Sequence, residues 1–214
     1  MRLKDILQEA PLPDDWEGDI FNPRTSFAKR VRYATERAKK LGTGSSRVAF
    51  EIKYKGRDTV LKIAKNAKGH AQNEVEAGML SDWYAQSIGI LIPMIDYDER
   101  SSKPTWIHME KAAKIKPNDF KKFFDGFSLS EAIKMVRFMV GKELGLPRPD
   151  AETMERWEEI YSDNEYLNGI GELVGNFDIP IIDFGHKANW GLYKGEPVII
   201  DIGFNDEVMK TYYS

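Results

Sequence analysis

Four stretches of this chain carry residue types suited to phosphate and metal chemistry, and they come in a telling order. Gly42-Thr43-Gly44-Ser45-Ser46-Arg47-Val48 places glycines where backbone N–H groups can approach anionic oxygens with no Cβ in the way. Val60-Leu61-Lys62-Ile63 then sets a lysine inside an apolar run, where a charge is costly unless a partner compensates it. Much later come His186-Lys187-Ala188-Asn189 and Ile199-Ile200-Asp201-Ile202-Gly203-Phe204. Asn189 and Asp201 are twelve positions apart across what reads as a tight hairpin, which would bring an amide oxygen and a carboxylate to one cation. Hard oxygen ligands of this kind suit Mg²⁺. A phosphate loop, a strand lysine and two oxygen ligands are the parts of a phosphoryl-transfer site.

The elements that must position these residues follow from spacing. Residues 1–23, with Pro11, Pro13 and Pro23, read as an arm lying on the surface. Ser26 is a plausible N-cap for a helix running to about Leu41, with Val31, Ala34, Ala38 and Leu41 as its buried stripe. Val48, Phe50, Ile52 and Tyr54 alternate with polar or small residues, a strand period. Lys55-Gly56-Arg57-Asp58 supplies a turn, and residues 59–64 return as the partner strand. In that strand Lys62 shares a face with Val60 and Ala64, while Leu61 and Ile63 point the other way. Residues 70–87 read as a helix, 90–97 and 106–110 as strands. The second half is mostly helical, over 129–144, 151–161 and 165–174, with Pro147 and Pro149 breaking the chain between the first two. Two short strands, 180–183 and 198–201, are expected to close the chain around a Lys194-Gly195 turn.

Composition narrows the classes. With no cysteine in 214 residues, disulfide scaffolds, thiolate zinc sites and Cys nucleophiles are excluded. His70, His108 and His186 fall on separate elements and lack zinc spacing. No apolar run approaches the roughly 20 residues that span a bilayer. Met1-Arg2-Leu3-Lys4-Asp5 lacks the apolar core of a secretory signal, so a cytoplasmic protein is expected. The net charge of −3 hides a basic block over 24–68, with 14 Lys/Arg against 3 Asp/Glu, which could hold nucleic acid or polyphosphate. Trp83, Trp106, Trp157 and Trp190 are expected in the core rather than as a base-stacking platform.

From Gly42 to Phe204 these motifs resemble the protein-kinase-like superfamily, and most of all minimal bacteriophage-encoded kinase-like proteins and the aminoglycoside-phosphotransferase branch. The resemblance implies a two-lobed α+β fold, a small antiparallel-sheet lobe (24–111) and a reduced helical lobe (112–214). It implies ATP and Mg²⁺ as cofactors. Gly42, Gly44, Ser45 and Val48 would belong to the phosphate loop, with Arg47 near the place of a missing third glycine. Lys62 would hold the α- and β-phosphates. Glu74 would position Lys62, with Glu76 as the fallback. Met109 would line the back of the adenine site, and the backbone of Glu110 and Ala112 would bond the base. Asn189 and Asp201 would bind Mg²⁺. The family places its catalytic Asp five residues before the Asn, where this chain has Phe184. Asp183 lies one residue further upstream, and a bulge at Gly185 could still deliver it to an acceptor hydroxyl.

The expected activity is transfer of the γ-phosphoryl group of ATP to a hydroxyl acceptor. Ten residues follow Phe204, so the acceptor site is expected from the helices before Asp183, from the N-terminal arm or from a partner. Two alternatives stay open at this point. One is a pseudokinase or nucleotide-binding protein that regulates a protein partner, such as a host factor, by contact. The other is a nucleic-acid-associated factor acting through the basic block.

Overall fold

The computed structural model describes residues 12–13, 15–22, 24–143, 145–177 and 179–212. The reading of Met1–Asp5, most of the arm's first half and the helix end at Leu144 lie outside the described residues. The chain is α+β, with an antiparallel five-stranded sheet and a mainly helical region. It divides into two compact units: residues 1–78 with 93–111, and 79–92 with 112–214. The segment 79–92 thus groups with the helical unit rather than with the sheet.

In the first unit the strands are β1 (Lys39–Thr43), β2 (Arg47–Tyr54), β3 (Arg57–Ala64), β4 (Met94–Tyr97) and β5 (Trp106–Glu110), ordered β1-β2-β3-β5-β4. Period-two alternation sends Val48, Phe50, Ile52, Leu61, Ile63 and Trp106 to one face. There they meet Tyr33 and Ala34 of helix α1 (Phe27–Arg37) together with Leu12 and Phe21. Leu12 and Phe21 therefore belong to the core and not to a surface arm: Phe21 is fully buried, stacks on Trp16 at 5.6 Å and meets Tyr33 edge-on. The β2–β3 hairpin closes through Lys55 (φ 48°) and Gly56 (φ 78°), the paired left-handed conformations that match strand twist.

Helix α1 starts at the predicted Ser26 cap, whose hydroxyl accepts from the Lys29 N–H. It ends four residues earlier than predicted. Ala38 is extended, and Lys39–Thr43 pairs with β2 as an edge strand, with an irregularity around Leu41 that leaves its side chain exposed. The helical spacing of Ala38 and Leu41 was thus outweighed by ladder hydrogen bonds, helped by Gly42, a poor helix former. The predicted helix 70–87 is two: α2 (Ala67–Ser81) and α3 (Trp83–Ser87), separated where the Asp82 carboxylate accepts from the N–H groups of Tyr84 and Ala85.

The second unit contains α3, α4 (Pro117–Phe123), α5 (Leu129–Met139), α6 (Ala151–Asp163), α7 (Glu165–Asn176), α8 (Ile181–Phe184) and α9 (Asp206–Tyr212). Its small sheet runs β6 (Ala113–Lys114), β7 (Trp190–Tyr193), β8 (Glu196–Ile199). Residues 180–183, predicted as strand, instead enter the single-turn helix α8 (Ile181–Phe184) from its Pro180 cap; among the described residues no strand pairs with them, so β-branched Ile181 and Ile182 follow the local turn. Helix α5 begins with a reciprocal Ser128–Glu131 capping box and ends at Met139, short of the predicted 144. Trp106, Trp157 and Trp190 are buried, but Trp83 is 78% exposed on the outer side of α3.

Candidate functional site

In the first unit the glycine stretch is a hairpin, not a free loop. The Gly44 N–H donates to the Arg47 carbonyl at 2.9 Å, closing the turn between β1 and β2. Each carbonyl of the turn is held from the β3–α2 side: Lys65 Nζ donates to Gly44 O (2.8 Å), Asn66 Nδ2 to Ser45 O (3.1 Å) and the Lys65 N–H to Ser46 O (2.7 Å). The Ser46 hydroxyl donates to Gln72 of α2. A Cβ added at Gly42 would meet nothing within 4 Å, so that strand position opens onto free space, as a phosphate approach requires.

Lys62 lies opposite Ala49 on β2 and Ile107 on β5. Its ammonium donates to Glu76 Oε1 at 2.6 Å, and Glu76 is fully buried. This corrects the choice of Glu74, which is exposed on α2. A helix places residues three and four apart on one face, and Asn73, Glu76, Ala77 and Leu80 form the buried stripe. Glu76 has a second cation: Arg47 Nη1 donates to its Oε2 and also to Asn73 Oδ1 at 3.4 Å. Two cations of the basic block are thereby spent internally. Lys39 with Glu51, Lys53 with Asp58 and Arg57 with Glu110 pair at the surface, and Arg30 is buried.

The register moves another assignment. Cross-strand partners share a face, so Arg47, Ala49 and Met109 lie on the Lys62 side of the sheet, whereas Val48 is packed into the core on the other side with Phe50 and Leu61. Val48 therefore cannot serve the lysine's face, and half-buried Ala49 is the residue in that place. At the predicted base-binding segment, the Glu110 N–H is already committed to Pro93 O at 3.0 Å. Ala112 belongs to the second unit, beside β6.

In the second unit the β7–β8 hairpin turns through Lys194 (φ 53°) and Gly195 (φ 95°), and Trp190 pairs with Ile199. Its strand β8 is held on the other side by Ile90–Ile92, with Ile92 N donating to Ile199 O at 3.1 Å and Ile199 N to Ile90 O at 2.8 Å. Gly191 allows β6 to come close: a Cβ there would sit 2.6 Å from that of Ala112. The Ile200 N–H donates to Asn189 O at 2.7 Å, which places Asn189 and Asp201 at one end of the hairpin. Asn189 Nδ2 donates to the Asp183 carbonyl at 2.9 Å, fixing the amide so that its oxygen is the face left for a cation.

Asp183 joins this cluster from α8. Its Oδ2 is buried and makes no hydrogen bond. Burial raises its pKa from the ordinary carboxylate value to about 6; His186 opposes the shift and Asp201 adds to it. The extra residue before Asn189 is absorbed without a bulge: Gly185 is right-handed (φ −74°) and simply ends the helical turn, its N–H donating to Ile182 O. Trp190 Nε1 donates to Phe184 O at 2.8 Å and holds that turn from below. Among the described residues no group of three or more His, Asp or Glu side chains could hold a metal, so a cation here would rest on Asn189, Asp201 and oxygens of a ligand. No helix among the described residues is long and apolar enough to cross a membrane.

Sequence reading missed Arg47 as a partner of Glu76, although a cation two positions before Ala49 on the lysine's face was the available signal. No family model matches the chain, and no curated protein matches it. Among solved structures it is similar to a thermostable mutant of an aminoglycoside phosphotransferase in ternary complex with ADP and hygromycin B, at a TM-score of 0.32 and 12% identity. That match covers 78% of this chain and 66% of the other, so the chain spans just under two thirds of that enzyme's length.

Proposed function

We propose that the chain is a kinase-like phosphotransferase that uses ATP and Mg²⁺ to phosphorylate a hydroxyl acceptor. The observation that carries this reading is the buried Lys62–Glu76 pair. Burying such charges costs several kcal/mol per ion, and well-packed apolar residues of similar volume are often as stable or more so. A fold gains little from such a buried strand-to-helix pair, whereas a phosphate-binding lysine needs it.

In the mechanism, the acceptor hydroxyl oxygen forms a bond to the γ-phosphorus while the bond from that phosphorus to the β,γ-bridging oxygen breaks, and ADP leaves with the electron pair. Asp183 receives the hydroxyl proton. With a pKa of about 6 it is ionised at neutral pH yet basic enough to accept a proton as the new bond forms. Lys62, steadied by Glu76, holds the α- and β-phosphates. Asn189 and Asp201 supply the amide and carboxylate oxygens that fit Mg²⁺, which when bound would neutralise phosphate charge. The β7–β8 hairpin keeps those two ligands in register, and the hydrogen bonds on Asn189 hold it in place before binding.

The test is incubation with γ-labelled ATP and Mg²⁺ against protein and small-molecule fractions, in wild type and Asp183→Asn. Label reaching an acceptor with wild type and not with D183N supports the reading. Equal label in both removes Asp183 as the base. Nucleotide binding without any transfer leaves the nucleotide-binding regulator as the function.

A further inference from the structure

Arg47 occupies the place where the glycine stretch would be expected to carry its third glycine, and its side chain has a definite destination. Period-two alternation turns it to the Lys62 face of the sheet, where it is 7% exposed. There the two oxygens of Glu76 are divided between two cations, Oε1 to Lys62 and Oε2 to Arg47. Arg47 is itself steadied by Asn73, whose amide donates to Pro104 O at 3.0 Å. We propose that Arg47 is a positioning residue: it anchors Glu76 from the side away from Lys62, so that the lysine ammonium is in place before any nucleotide arrives. This rests on the phosphotransferase reading of Lys62.

Three features make the anchor stiff. Arg47 is a paired strand residue, opposite Ala64 in the ladder, so its backbone cannot follow a moving helix. Its guanidinium is planar and rigid, and its Nη1 donates to both Glu76 and Asn73 in an orientation that a flexible ammonium stem would not hold. Helix α2, which carries Glu76, starts in backbone contact with the hairpin: a Cβ at Gly69 would collide with the Ser46 carbonyl, and no side chain separates the two segments. Swinging Glu76 away from Lys62 would require breaking its bond to Arg47 and parting α2 from the hairpin. A lysine held this way is preorganised, and the nucleotide need not assemble the pair on binding.

The test is the nitrogen-15 spectrum of lysine side chains in the full chain, without nucleotide, at neutral pH. Exposed ammonium groups exchange protons with water too quickly to be seen, whereas one anchored in a buried ion pair gives a signal. The expected result is a Lys62 signal in the wild type, assigned by its disappearance in Lys62→Met, and its loss in Arg47→Lys, which keeps the charge but not the rigid planar donor group. Absence of the signal in the wild type overturns the proposal, as does its survival in folded R47K. Arg47→Gln carries the same comparison should R47K fail to fold. An arginine with only a structural role would lower the melting temperature and leave the signal. Thermal shift with ATP and Mg²⁺ on the same samples separates the two claims. A chain that takes up no nucleotide removes the phosphotransferase reading, while the lysine signal still decides the role of Arg47.

Discussion

The sharing of one carboxylate by two cations makes Glu76 and Lys62 unequal under mutation. Glu76→Gln keeps the side-chain volume but removes the charge that both Arg47 and Lys62 face, inside a region where all three are at most 7% exposed. Removing one partner from a buried ion pair costs about 3–5 kcal/mol. For a chain of this size that lowers the melting temperature by about 6–20 °C. Lys62→Met leaves the Arg47–Glu76 bond intact and replaces one buried charge by an apolar chain of similar reach, so it costs within about 1 kcal/mol. Urea unfolding followed by tryptophan fluorescence reads the difference, because Trp106 lies on β5 beside β3 and is 1% exposed. The midpoint should fall steeply in E76Q and barely in K62M, with the slope against urea unchanged in both. Equal losses in the two variants would refute the shared-carboxylate account.

Four further outcomes follow from the same geometry. Glu74→Ala, on the exposed face of α2, should change stability by less than about 0.5 kcal/mol and leave nucleotide affinity intact, read by chemical denaturation and calorimetry. Val48→Ala should destabilise by about 1–3 kcal/mol through lost core packing without weakening ATP binding, whereas Ala49→Phe, on the face of Lys62, should weaken ATP binding with little loss of stability. Gly191→Ala should lower the melting temperature, since the added methyl meets Ala112 at 2.6 Å. Asp183 has a pH signature with a definite sign: its folded pKa of about 6 lies above the ordinary carboxylate value, so the folded chain binds more protons than the unfolded one between pH ~4 and ~6. Stability from this group is complete below that window and is lost as pH rises through it. In metal-free buffer D183N should therefore melt higher than wild type above pH ~6 and equally below pH ~4, while the wild-type transfer rate climbs through pH ~6 as the base ionises.

What the sequence disclosed depended on how local the signal was. The β2–β3 hairpin was legible because alternation and a Lys-Gly turn agree in it; at the later hairpin only the Lys194-Gly195 turn was legible, since its first strand was expected at 180–183 and lies at Trp190–Tyr193. Helices α6 and α7 were legible because their periodic stripes are long, and both prove to be capped, by Asp150 and Asn164. The edge strand β1 was hidden because all five of its residues are exposed and no alternation marks it. Helix α8 was hidden because Pro-Ile-Ile-Asp carries strand-forming residues whose fate depends on whether a partner strand is present. The candidate site was legible as residue types and in its order, but not in phase. Choosing Glu74 over Glu76, or Val48 over Ala49, depends on which face of a helix or strand turns inward, and that is settled by packing against segments far away in the chain.

The central claim is that the Lys62–Glu76 pair exists to hold nucleotide phosphates. Isothermal titration of ATP with Mg²⁺ into the wild-type chain and into K62M tests it most directly, because K62M is expected to stay folded. The account predicts saturable uptake of one nucleotide by the wild type, and affinity at least about tenfold weaker in K62M, the loss of about 1.4 kcal/mol or more of phosphate binding. Equal affinity in the two proteins, or no uptake by either, would contradict it.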